Sequence, residues 1–211
     1  MDEKSNEAKI FNNGTLDLST LDVAKDLKLP RYVNGNLLLT NLINVEDHLK
    51  FPRYINGGLG LNSLQSAENI ELPYCINGSL VLSGLKSIKG LQLPEFINGS
   101  INLSSLTNAK GLSFPIYLKN SLFLNSLNDA DGVVLPRYIE GELDLESLKT
   151  TKGLILPEYI NGTLFLNSLK DIKNLKLPKY IGGFLFINSS INIEELKLPD
   201  DFKKDRIIIT E

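Results

Sequence analysis

Residues 156–169 read LPEYINGTLFLNSL, residues 93–106 read LPEFINGSINLSSL and residues 135–148 read LPRYIEGELDLESL. Each stretch has a proline, an aromatic residue, an isoleucine and a glycine, followed by three aliphatic residues at the same spacing. Such internal similarity is the signature of a repeat architecture, so the period has to be established before the secondary structure.

The prolines of the chain determine the period. Successive prolines are 22 residues apart once and 21 residues apart otherwise: Pro30, Pro52, Pro73, Pro94, Pro115, Pro136, Pro157, Pro178 and Pro199. The extra residue lies near Asp47 and His48. With each proline as position 1, the consensus is P-x-Y-I-N-G-x-L-x-L-x-S-L-x-x-A-x-G-L-x-L. Nine repeats fit the chain, and the first starts at Lys9 without a proline.

Alternation within each repeat predicts two short strands. Positions 8 and 10, such as Leu80 and Leu82, are apolar between variable residues, as in a strand with one buried face. Positions 19 and 21, such as Leu91 and Leu93, predict a shorter strand that ends at the proline. A short 3₁₀ turn is expected at each Pro-x-Tyr-Ile. Positions 5, 6 and 18, rich in Asn and Gly, are expected in turns that tolerate positive φ.

The repeat predicts the fold class. A 21-residue coil with inward apolar residues at positions 4, 8, 10, 13, 16, 19 and 21 cannot bury them alone, so neighbouring coils must stack. We therefore predict an all-β solenoid of about nine 21-residue coils, with two strands per coil. Residues 9–198 form its single domain, with a polar tail at residues 1–8 and a capping segment at residues 199–211.

The segment IKGLQLPEFI at residues 88–97 resembles the L-x-x-L-x-L-P-x-x-L pattern of bacterial leucine-rich repeats, especially the short proline-containing units of secreted effectors. The resemblance covers nearly the whole chain, with departures. INGSLVL at residues 76–82 has one residue too many before its second L-x-L, and Phe96 and Leu85 replace asparagines of the family pattern. The chain thus looks like an atypical leucine-rich repeat with two L-x-L strands per repeat. This resemblance implies a binding scaffold rather than a catalyst.

Composition argues against several classes of function. The net charge of -3, from 22 basic and 25 acidic side chains, provides no basic patch for nucleic acid or an anionic membrane. With a single cysteine, Cys75, and a single histidine, His48, the chain lacks the residues of common zinc sites and nucleophilic triads. We predict no catalytic residue, no metal site and no cofactor. The polar N-terminus and the lack of a long apolar run predict a cytoplasmic protein, with delivery into a host cell left open.

Positions 7, 9 and 11 point outward from the longer strand and differ between repeats. They contain no lysine or arginine, whereas positions 2 and 20 collect basic residues such as Arg137 and Lys197. Large apolar side chains on the solvent side of a sheet are typical of interaction surfaces. The predicted protein-binding face consists of Leu38, Val81, Phe123, Glu142, Asp144, Glu146, Phe165, Phe184 and Phe186.

This face predicts a non-enzymatic scaffold that binds another protein, as an effector or inhibitor, with the acidic residues contacting basic groups of the partner. The chain is expected to be a monomer or a weak homodimer. A carbohydrate-binding or carbohydrate-active β-helix is an alternative, and a structural rod or fibre segment is another. The β-propensity of aromatic residues provides a purely structural explanation for the phenylalanines.

Overall fold

The computed structural model describes residues 9–10, 13–173 and 175–211. The chain is an all-β parallel solenoid of about nine coils with a spacing of about 21 residues and two main strands per coil, which confirms the predicted fold class. Among the described residues, helix is confined to two 3₁₀ helices of 3 residues each, Ile193–Glu195 and Lys204–Arg206. The predicted polar tail, residues 1–8, lies outside the described residues.

The chain divides into two compact units, residues 1–99 (unit 1) and residues 100–211 (unit 2). In each unit, one stack of parallel strands carries the aliphatic residue of position 8, and we call it the leucine sheet. A second stack carries the aromatic residue and the isoleucine of positions 3 and 4, and we call it the tyrosine sheet.

The strands of unit 1 are two residues long. They are β1 (Lys9–Ile10), β2 (Leu16–Asp17), β3 (Val23–Ala24), β4 (Tyr32–Val33), β5 (Leu37–Leu38), β6 (Asn44–Val45), β7 (Leu49–Lys50), β8 (Tyr54–Ile55), β9 (Leu59–Gly60), β10 (Ile70–Glu71), β11 (Cys75–Ile76), β12 (Leu80–Val81) and β13 (Phe96–Ile97). The leucine sheet contains β2, β5, β9 and β12, and the tyrosine sheet contains β4, β8, β11 and β13. Two further parallel pairs are β3 with β6 and β7 with β10.

The first strand departs from the parallel arrangement that the repeat predicts from Lys9 onward. β1 pairs antiparallel with β2, with Lys9 opposite Asp17 and Ile10 opposite Leu16. A hairpin strand in this place covers a backbone edge of β2 that would otherwise be open to solvent. The first parallel strand of unit 1 is therefore β2.

Unit 2 repeats the two-sheet arrangement with some longer strands. They are β14 (Ile101–Asn102), β15 (Tyr117–Leu118), β16 (Leu122–Phe123), β17 (Tyr138–Ile139), β18 (Leu143–Asp144), β19 (Tyr159–Ile160), β20 (Leu164–Leu166), β21 (Tyr180–Ile181), β22 (Leu185–Asn188) and β23 (Ile207–Thr210). The leucine sheet contains β14, β16, β18, β20, β22 and β23, and the tyrosine sheet contains β15, β17, β19 and β21. The final strand, β23, comes from the predicted capping segment and pairs parallel with β22.

Equivalent positions of successive coils lie side by side in the sheets. Leu143 pairs with Leu122 on one side and with Leu164 on the other, each 21 residues away. In unit 1 the Cα partners Tyr32 and Tyr54 are 22 residues apart, because the inserted residue lies between β6 and β7. This register turns every repeat position into a column of like side chains along the unit.

The second strand of each coil does not lie where the sequence predicts it. It follows the proline, at positions 3 and 4, where a 3₁₀ turn is predicted, rather than preceding the proline at positions 19–21. The backbone N–H of Asn161 donates to the carbonyl of Ile139 at 2.9 Å and continues this ladder past the strand. Proline cannot donate to a ladder, so this ladder starts after the proline in the coils from Pro30 to Pro178. Pairing at positions 19 and 20 occurs only locally, as between β7 and β10.

The turn positions differ in why they need small residues. Position 18 has the predicted positive φ, with +53° at Asp26, +67° at Asn69 and +72° at Gly132. At position 6 the reason is close approach of the coils, because a Cβ on Gly99 would lie 2.4 Å from the carbonyl carbon of Gly78. Gly14 is the position-6 glycine that also has a positive φ, of +76°.

The core of each unit is a set of aliphatic columns. Positions 4, 8, 10 and 13 are buried as predicted, for example Leu80 and Leu82 in unit 1 and Leu122 and Leu124 in unit 2. The predicted inward positions 16, 19 and 21 are buried in some coils and half-buried in others. The core thus lies mainly behind the leucine sheet, and the outward face of this sheet takes no part in the core.

Candidate protein-binding face

One residue per coil forms an outward row on the leucine sheet of unit 2. In register, Phe123 lies opposite Asp144, Asp144 opposite Phe165, and Phe165 opposite Phe186. β23 extends this row, because Ile208 lies opposite Phe186. Ile208 is not among the residues of the predicted face, although the apolar run in RIIITE that follows the last proline indicates a further strand.

The C-terminal end of the row is an aromatic patch formed by Phe165, Phe184 and Phe186. The rings of Phe165 and Phe186 are stacked, with centroids 4.7 Å apart and an interplanar angle of 24°. Both are half-buried, and Phe184 at position 7 is 47% exposed. These side chains point away from the core, so packing of the core does not require them.

Asp144 is nearly buried, with 8% of its surface exposed, although it lies on the outward side of the sheet. Its Oδ1 accepts a hydrogen bond of 3.0 Å from the backbone N–H of Glu146. Its Oδ2 accepts a second hydrogen bond from the side-chain amide of Asn125. The two residues beside it in the row are Phe123 and Phe165. A carboxylate thus lies between two aromatic residues and is held by two neutral donors.

Burial raises the pKa of the Asp144 carboxyl above its usual range, because the charged form loses hydration. The hydrogen bond from the backbone of Glu146 and that from Asn125 oppose this rise in the pKa. Repulsion from the carboxylates of Glu146 and Glu142, on the same strand segment, adds to it. The carboxylates of Glu142 and Glu146 therefore add negative charge around Asp144.

Part of the geometry of Asp144 is a local feature of the repeat. Asn102, two strands before Asp144 in the row of unit 2, accepts a hydrogen bond of 3.0 Å from the backbone N–H of Ser104 through Oδ1. Asp17 makes the same contact with the backbone N–H of Ser19 at 2.9 Å. This bond ties position 9 to position 11, and a neutral amide provides it as well as a carboxylate does.

The hydroxyl groups of position 7 have a structural role, although this position lies on the outward side of the sheet. The Oγ of Ser121 accepts from the backbone N–H of Glu142 at 3.0 Å, and the Oγ1 of Thr163 accepts from that of Phe184 at 3.3 Å. Both hydroxyl-bearing side chains are buried. They connect successive coils, so little of them remains available to a partner.

The nine predicted face residues fall into two groups. Seven lie in unit 2: Phe123, Glu142, Asp144, Glu146, Phe165, Phe184 and Phe186. Leu38 and Val81 lie in unit 1, where both are half-buried and Gly60 separates them in the sheet. The Cδ2 of Leu38 lies 3.5 Å from where a Cβ on Gly60 would be. The outward row of unit 1 therefore projects less from the sheet and contains no aromatic residue.

Most of the aromatic column of position 3 lies at the surface. Tyr117 is 50% exposed and Tyr180 is 43% exposed, because position 3 precedes the inward position 4 and points the other way. The rings of Tyr138 and Tyr159 are stacked, with centroids 5.4 Å apart and an interplanar angle of 15°. These tyrosines line a shallow groove of about 360 Å³ on the tyrosine sheet of unit 2.

Charges beside the tyrosine sheet of unit 2 are compensated. Glu158 bonds the guanidinium of Arg137 at 2.7 Å and the ammonium of Lys179 at 2.9 Å. Within the part of the chain that the structure describes, Glu142, Asp144 and Glu146 take part in no such ion pair. Unit 2 therefore has one neutralised face and one acidic face.

Among the described residues, no cluster of three or more His, Cys, Asp or Glu side chains has an arrangement that could hold a metal ion. The described residues include no helix with the length and apolar character needed to cross a membrane. Comparison with protein-family models, with curated proteins and with solved structures finds no match to this chain. The structure shows the architecture, which is a solenoid of parallel coils of about 21 residues.

Proposed function

We propose that this protein is a non-enzymatic scaffold that binds another protein through the outward side of the leucine sheet of unit 2. The observation that carries the proposal is the aromatic patch, in which stacked Phe165 and Phe186 adjoin the exposed Phe184. Covering large apolar side chains removes them from water at about 25 cal/mol per Å². Binding energy in interfaces is concentrated in such aromatic anchors.

The repeat itself supports a scaffold. Its likeness to short bacterial leucine-rich repeats leads us to propose an atypical member of that group, acting as an effector or inhibitor that blocks a surface of its partner. Cys75 is a free thiol, which suits the reducing cytoplasm that we propose as its location. The fold alone does not determine function, so the argument depends on the patch.

Carbohydrate binding is a second candidate, and the exposed tyrosines of the tyrosine sheet favour it. The rings of Tyr138 and Tyr159 stack on each other, so each ring covers one face of the other. The arrangement therefore offers less flat aromatic surface than the number of exposed rings indicates. Protein binding at the aromatic patch remains the better-supported function.

A displayed library of random peptides, selected against the immobilised full chain, tests the proposal. We expect wild-type protein to enrich peptides that the double variant F165A/F186A does not enrich. Lys176→Ala, at an exposed residue of position 20, is the control and should enrich the same peptides as wild type. Thermal unfolding of each variant verifies that it is folded.

Equal enrichment by wild type and by F165A/F186A would contradict the proposal. Analytical ultracentrifugation of the same proteins covers a different use of the patch. If the phenylalanines pack between two copies of this chain, wild type will dimerise, and the double variant will shift toward the monomer. In that case the partner is the chain itself.

A further inference from the structure

We infer that the partner presents an arginine or lysine side chain to the Asp144 carboxylate, next to an apolar residue that covers the aromatic patch. This inference rests on the proposed function and deepens it by assigning the chemistry of the partner: a basic, extended peptide segment. Three observations support it. Asp144 lies in the outward row beside aromatic residues, the fold does not require its charge, and the charged residues around it on this face are acidic.

The row places a carboxylate directly beside aromatic residues. Asp144 has Phe123 on one side and Phe165 on the other in the register of the sheet. Electrostatic attraction is stronger where water is excluded than in bulk solvent. A cation that reaches Asp144 can also contact the neighbouring rings, which attract cations through their faces. Arginine suits such a place best, because its planar guanidinium both stacks on rings and bonds carboxylates.

The fold does not need a charge at this position. Asn102 makes the equivalent hydrogen bond to the position-11 backbone N–H with a neutral side chain, at the same distance of 3.0 Å. An asparagine at position 144 could keep that bond, and the amide of Asn125 could turn to accept where it now donates. Burying the carboxylate costs hydration free energy that an amide would largely avoid. The charge therefore has no evident role in the isolated chain.

The charged residues at the outward positions of unit 2 are all acidic. Glu142 and Glu146 flank Asp144 on the same strand segment, at positions 7 and 11. No lysine or arginine occupies position 7, 9 or 11 of any coil from Ser100 to Asn188, and the structure describes all of these positions. On the opposite face, Glu158 is neutralised by Arg137 and Lys179. A cationic segment is the complement that the acidic face lacks, and such complementarity provides specificity and faster association.

The spacing of the row sets the spacing expected in the partner. Asp144 and Phe186 are two strands apart, which is about 10 Å at about 4.8 Å per strand. An extended peptide covers that distance in roughly three residues at about 3.3 Å each. A segment lying along the row would therefore place its basic residue about three positions from the apolar residue that covers Phe165 and Phe186.

The peptide selection described above, continued with charge variants, tests the inference. We expect the peptides enriched by wild type to carry arginine or lysine in excess, about three residues from a large apolar residue. Asp144→Asn should weaken the binding of a selected basic peptide about 10- to 100-fold, as expected for losing a hydrogen bond to a charged group. Added salt should weaken wild-type binding and have less effect on this variant.

Two variants separate Asp144 from general acidity. The double variant E142Q/E146Q should weaken the peptide less than Asp144→Asn does, because Glu146 is exposed and Glu142 is only half-buried. Glu158→Gln, on the other face, is the matched control and should leave peptide affinity unchanged. Thermal unfolding confirms that each variant remains folded.

The possible failures are distinguishable. Neutral or acidic selected peptides would overturn the inference, while their loss in F165A/F186A would leave the proposed function standing. Basic peptides that bind Asp144→Asn as tightly as wild type would overturn Asp144 as the recognition point. If the selection does not distinguish wild type from F165A/F186A, the inference and the proposed function are both wrong.

Discussion

The outward row of the leucine sheet differs between unit 1 and unit 2, although both units are built from the same repeat. In unit 1 the row reads Asp17, Leu38, Gly60 and Val81. In unit 2 it reads Asn102, Phe123, Asp144, Phe165 and Phe186. The inward columns behind both rows are buried aliphatic residues. The inward columns are aliphatic in both units because they form the core, whereas the outward positions vary from coil to coil.

A second contrast lies within unit 2. The tyrosine sheet shows half-exposed rings with neighbouring charges that neutralise one another, as Arg137, Glu158 and Lys179 do. The leucine sheet shows rings beside Glu142, Asp144 and Glu146, which take part in no ion pair within the described part of the chain. Exposed aromatic area is therefore not what distinguishes the candidate face. The distinguishing feature is apolar surface combined with uncompensated charge.

The largest effect is expected in the shared core. Leu82→Ala in unit 1 and Leu124→Ala in unit 2 should each lower the free energy of unfolding by about 2–5 kcal/mol, because both side chains are fully buried and leave a cavity. Urea titration followed by circular dichroism measures this, with Lys176→Ala as the exposed control. A large loss in only one unit would mean that the two cores are not equivalent.

The next effect should separate the two outward rows. Phe186→Ala should weaken the binding of a selected peptide by about 1–4 kcal/mol, as interface anchors do, whereas Leu38→Ala should leave it unchanged. Phe186 is half-exposed, so its removal should destabilise the fold less than Leu124→Ala does. Calorimetric titration and thermal unfolding provide the two readouts. Equal loss of binding in both variants would place the site in both units.

A smaller effect concerns the pH dependence of stability. The pKa of Asp144 is raised in the folded protein, so between its unfolded and folded pKa values the native state binds the proton more readily. The contribution of Asp144 to the free energy of unfolding is therefore favourable at low pH and is lost as the pH rises through that window. Asp144→Asn should be the more stable protein near neutral pH.

Thermal midpoints of wild type and Asp144→Asn from about pH 3 to pH 7 measure this difference. Comparing the two proteins cancels the titration of the other carboxylates. If wild type gains stability relative to the variant as the pH rises, the hydrogen bonds from Glu146 and Asn125 outweigh burial. Greater stability together with weaker peptide binding would indicate that the charge serves recognition rather than folding.

The smallest effect is expected on the neutralised face. Lys179→Ala removes one ion pair of Glu158, and exposed ion pairs contribute little because water and salt screen them. Neither the midpoint of urea unfolding nor the affinity for a selected peptide should change measurably. Loss of peptide binding in this variant would mean that the binding face lies on the tyrosine sheet.

The sequence by itself determined the coil length, the register of the stack and the columns that point inward. The nine prolines set the period, and the alternation around Leu122 and Leu124 set the buried side, because a strand directs successive side chains to opposite faces. The period and the alternation can both be recognised in the sequence without knowledge of how neighbouring coils pack. The residue types of the outward face, such as Phe165 and Asp144, can be recognised in the same way.

Only the tertiary structure decided the features that depend on the next coil, 21 residues away along the chain. Whether positions 3–4 or 19–21 form the second ladder depends on which N–H groups meet a carbonyl across the stack, and proline removes one of them in each coil from Pro30 onward. Asp144 is nearly buried because of the side chains around it, including Asn125, which belongs to the preceding coil. Hydroxyls that look like a polar rim, such as that of Thr163, are buried because they bond a backbone N–H of the following coil. Burial and hydrogen bonding are properties of a side chain together with its neighbours, and in a solenoid those neighbours come from the adjacent coils.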